Sequence, residues 1–320
     1  MPVALTKNAP AVVLAATTCV VSLLCGCSVK RIAINSVANS LAGGGDGLVF
    51  AGENDPQLVA DALPFALKMY ETLAEQAPEN SELRVETGKI FVMYAYAFVQ
   101  VPADQLPPEQ IQKQNRMKER AKRLYLRGRK YLLEALELRH PGFRDRLNES
   151  ADSALAVVDE ADSTALYWTG MAWMGAITAD KFDLGLVLGM KKAVTMVRQV
   201  AEYNEAFGDG AVHEFFLSYY GGLPASMGGS EEKARFHYRK AVEIADGRKA
   251  GPHVSLATTV SVKNQDVDEY RTLLNKALDV DTKERNKHRL TNVIAKQRAR
   301  WLLDHIDRYF LLKEHEGDNQ

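Results

Sequence analysis

The sequence predicts an all-α protein built from stacked helix hairpins, an α-solenoid or bundle. Helix caps and breaks recur along the chain, and we find no convincing run of alternating apolar residues that would indicate a strand. A loose repeat, apolar-x-x-Ala-apolar-x-apolar, occurs at three helix ends and centres on Ala135, Ala241 and Ala277. The last two alanines are 36 residues apart, and a period of about 34 residues indicates tetratricopeptide-like hairpins. An irregular helical bundle is the alternative.

Residues 1–26 are typical of a bacterial lipoprotein signal peptide. The basic Lys7 precedes an apolar run over residues 11–24, which is shorter than the roughly 20 residues of a membrane-spanning helix. The run ends in Leu24-Cys25-Gly26-Cys27, which matches the lipobox pattern. We therefore expect lipidation of Cys27 and a membrane anchor, with an ordinary secretory signal as the alternative. The residue after this cysteine is Ser28 and not aspartate, as in lipoproteins that are sent to the outer membrane. We therefore expect an anchor in the outer membrane, with the protein facing the periplasm.

Cysteine usage and charge exclude several classes of function. Cys19 and Cys25 lie within the predicted signal peptide, so the mature chain keeps Cys27 alone and forms no disulfide. Removal of Lys7 leaves 39 basic and 41 acidic side chains, and the net charge is then about −2. This balance gives no indication of a nucleic-acid or anionic-lipid partner on charge grounds.

The mature chain divides into a tether, a helical domain and a tail. Residues 27–52 predict a lipidated N-terminus and flexible tether, because they contain Gly43-Gly44-Gly45-Asp46-Gly47. A phosphate-binding loop is disfavoured there, since the next lysine is Lys68. Residues 53–316 predict the helical domain, and 317–320 a disordered tail.

The helical domain begins at Asp55-Pro56, an N-cap followed by proline in the first turn. An apolar stripe follows, and Pro64 inside it should kink the helix or mark a boundary. The stripe consists of Leu58, Ala62, Phe65, Met69 and Leu73. A loop is expected near residues 102–108, and Ser81 caps the helix before it. Later helices are predicted near 109–139, 162–179, 183–203, 210–220, 230–245, 252–260, 266–278 and 283–315.

Several segments resemble the T-component (TatT) family of TRAP-transporter-associated lipoproteins. They are EFFLSYYGGLP at 214–224, MGGS at 227–230, ARFHYRKA at 234–241, ALYWTG at 165–170 and LLNKAL at 273–278. The lipobox and the basic final helix fit the same pattern, and the similarity covers most of the mature chain. The resemblance implies a tetratricopeptide-like lipoprotein that can form a homotrimer. It also implies a periplasmic solute-binding protein as partner and a small hydrophobic or organic-acid ligand that passes through a pore.

The aromatic and glycine residues of these segments are the candidate site. Trp168, Tyr219 and Tyr220 are candidates for lining a ligand pocket or pore, although core packing is the commoner role for such residues. The glycine pairs indicate backbone conformations open to glycine and close approach of chain segments, which is a structural role. This structural motif comprises Gly221, Gly222, Pro224, Gly228 and Gly229.

A basic segment over residues 113–130 has two interpretations. It is rich in lysine and arginine, and its one acidic residue is Glu119. A solvated helix face is the commoner explanation, and docking of an acidic partner or anionic solute is the functional one.

No enzymatic constellation is recognisable, and we expect neither a cofactor nor a metal. The chain has no His-Glu-x-x-His or Gly-x-Ser-x-Gly motif, and its histidines lack metal-ligand spacing. His213 and Glu214 are adjacent and should point apart on a helix. Glu149-Ser150 matches a dipeptide of helical lytic transglycosylases, but Asn148-Glu149-Ser150 is better interpreted as a helix cap.

Two functions from different classes follow. The first is an accessory lipoprotein of a TRAP-type uptake system, which handles a small ligand with a solute-binding protein. The second is a helical-repeat scaffold lipoprotein that binds other envelope proteins and no small ligand. A through-going apolar cavity would favour the first, and a closed core with an exposed groove the second.

Overall fold

The computed structural model describes residues 48–311, and this part of the chain is helical without a strand. The predicted signal peptide, Cys27, most of the tether and the tail lie outside the described residues. The helices are α1 (Leu48–Ala51), α2 (Pro56–Gln76), α3 (Ser81–Ala95), α4 (Val101–Asp104), α5 (Ile111–Arg139), α6 (Phe143–Glu149), α7 (Ala151–Leu155), α8 (Ser163–Ala179), α9 (Leu184–Leu188), α10 (Met190–Tyr203), α11 (Phe207–Gly222), α12 (Glu231–Ile244), α13 (Gly251–Leu256), α14 (Val262–Asn264), α15 (Val267–Asp279) and α16 (Arg289–Asp304).

The helices form a solenoid-like stack in which neighbours in sequence are neighbours in space. From α2 onward, the main helices pack in the order α3, α5, α8, α10, α11, α12, α13, α15 and α16. The repeated alanines Ala135, Ala241 and Ala277 are all buried, as expected for small residues where helices approach closely. The predicted all-α class is confirmed, whereas the tetratricopeptide class of the hairpins stays a prediction.

Two apolar cores run through the stack, and α11 joins them. The first core contains buried residues from Val59 to Phe216 together with Leu290 of α16, and the second extends from Leu217 to Phe310. Consecutive residues of α11 therefore enter different cores. Burial of each core is the main stabilising contribution, at about 25 cal/mol for each Å² of apolar surface removed from water.

The two ends of the stack meet through arginines near the C-terminus. Arg298 donates to the Tyr96 hydroxyl at 3.0 Å, and Arg308 donates to the Leu106 carbonyl at 2.9 Å. Arg285 also donates to the Leu48 carbonyl at 3.2 Å, so α1, which the sequence placed in the tether, lies against the last part of the chain. The basic final helix predicted from sequence thus contacts the N-terminal helices.

The first long helix differs from expectation in its buried face. Asp55 caps α2 as predicted, and the helix continues through Pro64, so Pro64 marks no boundary and the kink expected as the other outcome stays a prediction. Pro64 is exposed, so water can satisfy the carbonyl that loses its hydrogen-bond donor. The predicted apolar stripe lies partly in solvent, since Leu58 is 57% and Phe65 is 76% exposed. The buried face is instead formed by Val59, Leu63, Ala66, Leu67, Tyr70 and Ala74.

Other helix boundaries also shift from the predicted ones. The expected loop after residue 101 begins as helix α4, and the single helix expected over 183–203 divides at Gly189. Two π-helical segments occur, Tyr96–Gln100 and Ala257–Ser261. The helices α6 and α7 were not predicted, although Ser150 does cap α7 by accepting from the Ser153 amide. No helix within 48–311 is both long and apolar enough to cross a membrane.

Candidate functional site

The α11–α12 hairpin carries most of the residues singled out in the sequence. Its connection is built by the glycine motif: Gly228 has φ of 92°, a conformation that favours glycine. Gly221 is buried, and a Cβ there would lie 2.6 Å from the Thr259 hydroxyl. The Ser230 amide donates to the Tyr220 carbonyl at 3.0 Å, which fixes the start of α12 beside the end of α11. Gly221 and Gly228 therefore allow the helices of the hairpin to approach closely. A Cβ at Gly222 would meet no atom within 4 Å, and Pro224 is exposed.

Two histidines face each other across this hairpin. His213 on α11 and His237 on α12 bring their Nδ1 atoms within 2.8 Å. One ring must donate and the other accept, so the pair accommodates at most one shared proton comfortably. His213 Nε2 lies 3.2 Å from Glu205 Oε1, although the geometry is not that of a hydrogen bond. Burial lowers the pKa of His213, and burial together with His213 lowers the pKa of His237 to about 4. Both rings are therefore neutral at pH 7.

Aromatic rings pack on both sides of the histidine pair. His237 is stacked on Phe216, with ring centroids 5.1 Å apart, and on Tyr220 at 5.6 Å. Phe236 meets His237 edge to face at 5.2 Å, and the Lys233 ammonium lies 5.1 Å from the Tyr220 ring centroid. We call His213, Phe216, Tyr220, Phe236 and His237 the aromatic–histidine cluster. His213 and Phe216 are buried in it, whereas Phe236 is 44% exposed. The exposed side of the cluster therefore presents apolar ring faces, which suits packing against a partner or an apolar ligand.

The predicted ligand-lining residues occupy two places. Tyr219 and Tyr220 lie together, with ring centroids 5.0 Å apart in an edge-to-face arrangement. Trp168 on α8 packs edge to face on Tyr167 at 5.4 Å, and Tyr167 in turn contacts Phe207 at the start of α11. All three predicted residues are half-buried, so each combines packing against a core with access to solvent.

Next to the hairpin lies a second feature, an open cleft of about 300 Å³ between α12 and α15. Arg235 spans it and donates to both oxygens of Glu269 at 2.5 and 3.1 Å, while Ser261 donates to the same carboxylate at 2.7 Å. Arg239 and Lys276 extend along its exposed rim. The cleft therefore combines a closely paired arginine and glutamate with exposed cationic side chains at its edge.

The basic helix α5 finds its counter-charges on other helices. Glu71 of α2 is buried and pairs with Arg127, while Tyr131 donates to it at 3.1 Å. Lys122 lies 2.7 Å from Asp180 and 2.8 Å from Asp183. Part of the positive charge of the basic segment thus forms ion pairs with side chains outside α5. The interpretation of this segment as a solvated helix face is therefore incomplete.

Sequence reasoning missed the histidine pair because its members are 24 residues apart. It did predict that His213 and Glu214 point apart, and Glu214 pairs with Lys249 while His213 faces His237. Within the described residues, no group of three or more histidine, cysteine, aspartate or glutamate side chains is arranged to hold a metal ion. The only sequence signal for the pair was the aromatic and histidine content of the α11 and α12 segments.

Comparisons with known proteins agree with the resemblance noted in the sequence. The sequence model of a family described as TRAP transporter T-component matches residues 52–310. The chain is 31% identical over 306 residues to a protein of Treponema pallidum (strain Nichols) that is described as uncharacterized. That similarity covers 90% of this chain and 95% of the relative. The family match spans nearly all of the described residues.

Proposed function

Because the chain belongs to the TRAP transporter T-component family, we propose that it is a membrane-anchored accessory lipoprotein of a TRAP-type solute uptake system. It works with a periplasmic solute-binding protein and binds or passes a small organic or hydrophobic ligand. The family match over residues 52–310 carries the proposal, because it covers the whole helical stack. The family is a transport accessory and not an enzyme family.

The proposed location follows from the family and the N-terminal sequence. A TRAP transporter component belongs to the membrane-associated part of the cell envelope. We propose that acylated Cys27 anchors the chain in the outer membrane, facing the periplasm, and that the glycine-rich segment is the tether. The lipobox Leu24-Cys25-Gly26-Cys27 and Ser28 support it. Mass spectrometry of the mature protein should find the lipid on Cys27, and an unmodified Cys27 would contradict the anchor.

For the ligand, we propose that Trp168, Tyr219 and Tyr220 line its path. Their half-buried rings support this role, because ligand sites are mainly apolar with a few polar groups. The meeting of the two ends of the stack supports a path enclosed by helices. Replacement of Tyr219 and Tyr220 by alanine should weaken ligand capture, and Phe65→Ala on the distant exposed face of α2 is the matched control.

The partner is tested by affinity capture with the tagged mature chain from its own cells. We expect recovery of a solute-binding protein whose gene lies beside genes for a TRAP transporter. Recovery of other envelope proteins alone, with no transporter genes nearby, would favour the scaffold alternative. The same preparation, examined by sedimentation, tests whether the chain forms the homotrimer that the family resemblance implies.

A further inference from the structure

Three large apolar side chains stand in solvent at the connection between α8 and α10. Phe182 is 92%, Leu184 is 73% and Leu188 is 84% exposed. Leu184 and Leu188 are four residues apart in α9 and therefore share one face. Exposed apolar residues are normal when scattered singly, but a group on one protruding turn marks an interaction site. We call residues 182–188 the apolar tip.

The apolar tip is held by specific contacts with the helices beneath it. The Trp173 indole donates to the Leu186 carbonyl at 3.2 Å, and Leu186 is buried. Gly189 lies so close to the Trp173 ring that a Cβ would overlap it. The Arg129 guanidinium covers the same ring at 4.5 Å from its centroid. The exposed side chains are thus presented on a fixed support, so little conformational entropy is lost when they bind.

The surface around the apolar tip is positively charged. The two acidic residues of this segment, Asp180 and Asp183, are both paired with Lys122. Lys181 and Lys191 flank the tip and are exposed. Lys122 offsets one of these two carboxylates, and the Arg129 guanidinium, which interacts with Asp183, offsets the other. The flanking ammonium groups face solvent and complement an anionic surface.

We propose that the apolar tip inserts shallowly into the surface of an anionic lipid bilayer. Aromatic and leucine side chains flanked by lysine are the combination that binds the headgroup region, where apolar burial and attraction to anionic lipid add together. A stable protein partner is less well matched. Such interfaces bury about 800 Å² on each side, whereas the apolar tip offers one phenylalanine and two leucines on a single short segment. This contact acts in addition to any lipid on Cys27 and does not depend on the identity of a transporter partner.

The test uses the mature chain with Cys27→Ser, so that no acyl chain contributes. Its partition onto phosphatidylcholine vesicles, with and without phosphatidylglycerol, is measured by co-sedimentation. We expect binding that requires phosphatidylglycerol and weakens as salt is added, because surface charges are screened. Combined Phe182→Ser, Leu184→Ser and Leu188→Ser substitutions should reduce the partition about tenfold, since they remove most of the inserted apolar groups. Lys181→Gln with Lys191→Gln should reduce the partition onto the anionic vesicles and make it less dependent on salt.

Phe65→Ser is the matched control, because Phe65 is 76% exposed on α2 and should not affect vesicle binding. Thermal unfolding checks that each variant is folded. The proposal is overturned if the Cys27→Ser chain does not bind anionic vesicles, or if Phe65→Ser lowers the partition as much as the tip substitutions do. It is equally overturned if the tip substitutions leave vesicle binding unchanged. A reduced mass of these variants in sedimentation would then show that a second copy of the chain covers the tip.

Discussion

At the residue scale, buried neutral histidines make the fold sensitive to acid. His253 is 7% exposed and hydrogen-bonds with the Tyr238 hydroxyl at 2.9 Å. Burial, and secondarily Lys276, lowers the pKa of His253 from 6.5 to about 4. The pKa of His253 is lower in the folded protein than in the unfolded one, so the unfolded protein takes up the proton first. The free energy of unfolding is therefore highest above pH 6.5 and decreases as the pH falls towards 4. The loss at pH 5 amounts to about 2 kcal/mol.

Urea unfolding at about pH 7.5 and about pH 5 measures this loss, because these values lie above and below the unperturbed histidine pKa of about 6.5. His253→Gln should lower stability at neutral pH but reduce its dependence on pH by about 2 kcal/mol. His305→Gln, at a ring stacked on Trp301, should leave that dependence in place. An unchanged pH dependence in His253→Gln would show that this histidine does not cause the acid sensitivity.

Also at the residue scale, the two adjacent glycines at the end of α11 should respond differently to alanine. A Cβ at Gly221 would lie 2.6 Å from the Thr259 hydroxyl oxygen, whereas a Cβ at Gly222 would meet nothing within 4 Å. Gly221→Ala should therefore destabilise the fold by about 1–3 kcal/mol, the usual cost of overpacking. Gly222→Ala is the control and should change stability by less than about 1 kcal/mol. Equal effects in chemical unfolding would contradict the close approach of α11 and the second π-helical segment.

At the element scale, α5 is held in the stack by ion pairs with helices distant in sequence. Glu71 is 2% exposed and is shared by Lys68, Arg127 and Tyr131. Glu71→Gln takes the charged acceptor from the buried Tyr131 hydroxyl and from the half-exposed Arg127, and should destabilise the protein by about 2 kcal/mol. The control is Glu119→Gln, because Glu119 and its partner Arg123 are exposed on α5. That pair should contribute at most about 0.5 kcal/mol in chemical unfolding, and a similar loss in both variants would contradict the buried role of Glu71.

The sequence determined the helices better than their faces and partners. The Asp55 and Ser150 caps were predictable because capping is local, involving residues two or three positions apart. The predicted Ser81 cap was wrong by one residue, since Asn80 caps α3 by accepting from the Leu83 amide. The buried face of α2 was not, since apolar residues occupy both faces of that helix and periodicity alone does not say which one is covered. The partners of the basic helix lie more than 50 residues away in sequence, as Glu71 does from Arg127. The facing of His213 and His237 likewise depends on how α11 and α12 pack.

At the scale of the whole molecule, contacts between the two ends should make the stack unfold as one unit. Open repeat stacks lose cooperativity because each repeat contacts only its neighbours. Here Arg298 and Arg308 connect the C-terminal part to the N-terminal helices. Trp301 packs on the second core, and Trp168 on the first, so the two tryptophans report on different cores.

Unfolding transitions followed through Trp301 and through Trp168, each in a chain that keeps only that one of the three tryptophans, should coincide. Combined Arg298→Met and Arg308→Met substitutions should lower the midpoint reported by Trp301 more than the one reported by Trp168. Arg300→Met, at an exposed position of the same helix, is the control. Separate transitions in the otherwise unchanged chain would contradict closure of the stack.

We propose that this T-component family member serves an uptake system by binding a solute-binding protein. The most direct test is sedimentation velocity of the mature chain mixed with the purified solute-binding protein encoded beside its transporter genes. We expect a faster-sedimenting species that contains both proteins, at concentrations where neither protein alone forms it. Two unchanged boundaries at every ratio of the two proteins would show that the chain does not bind this partner.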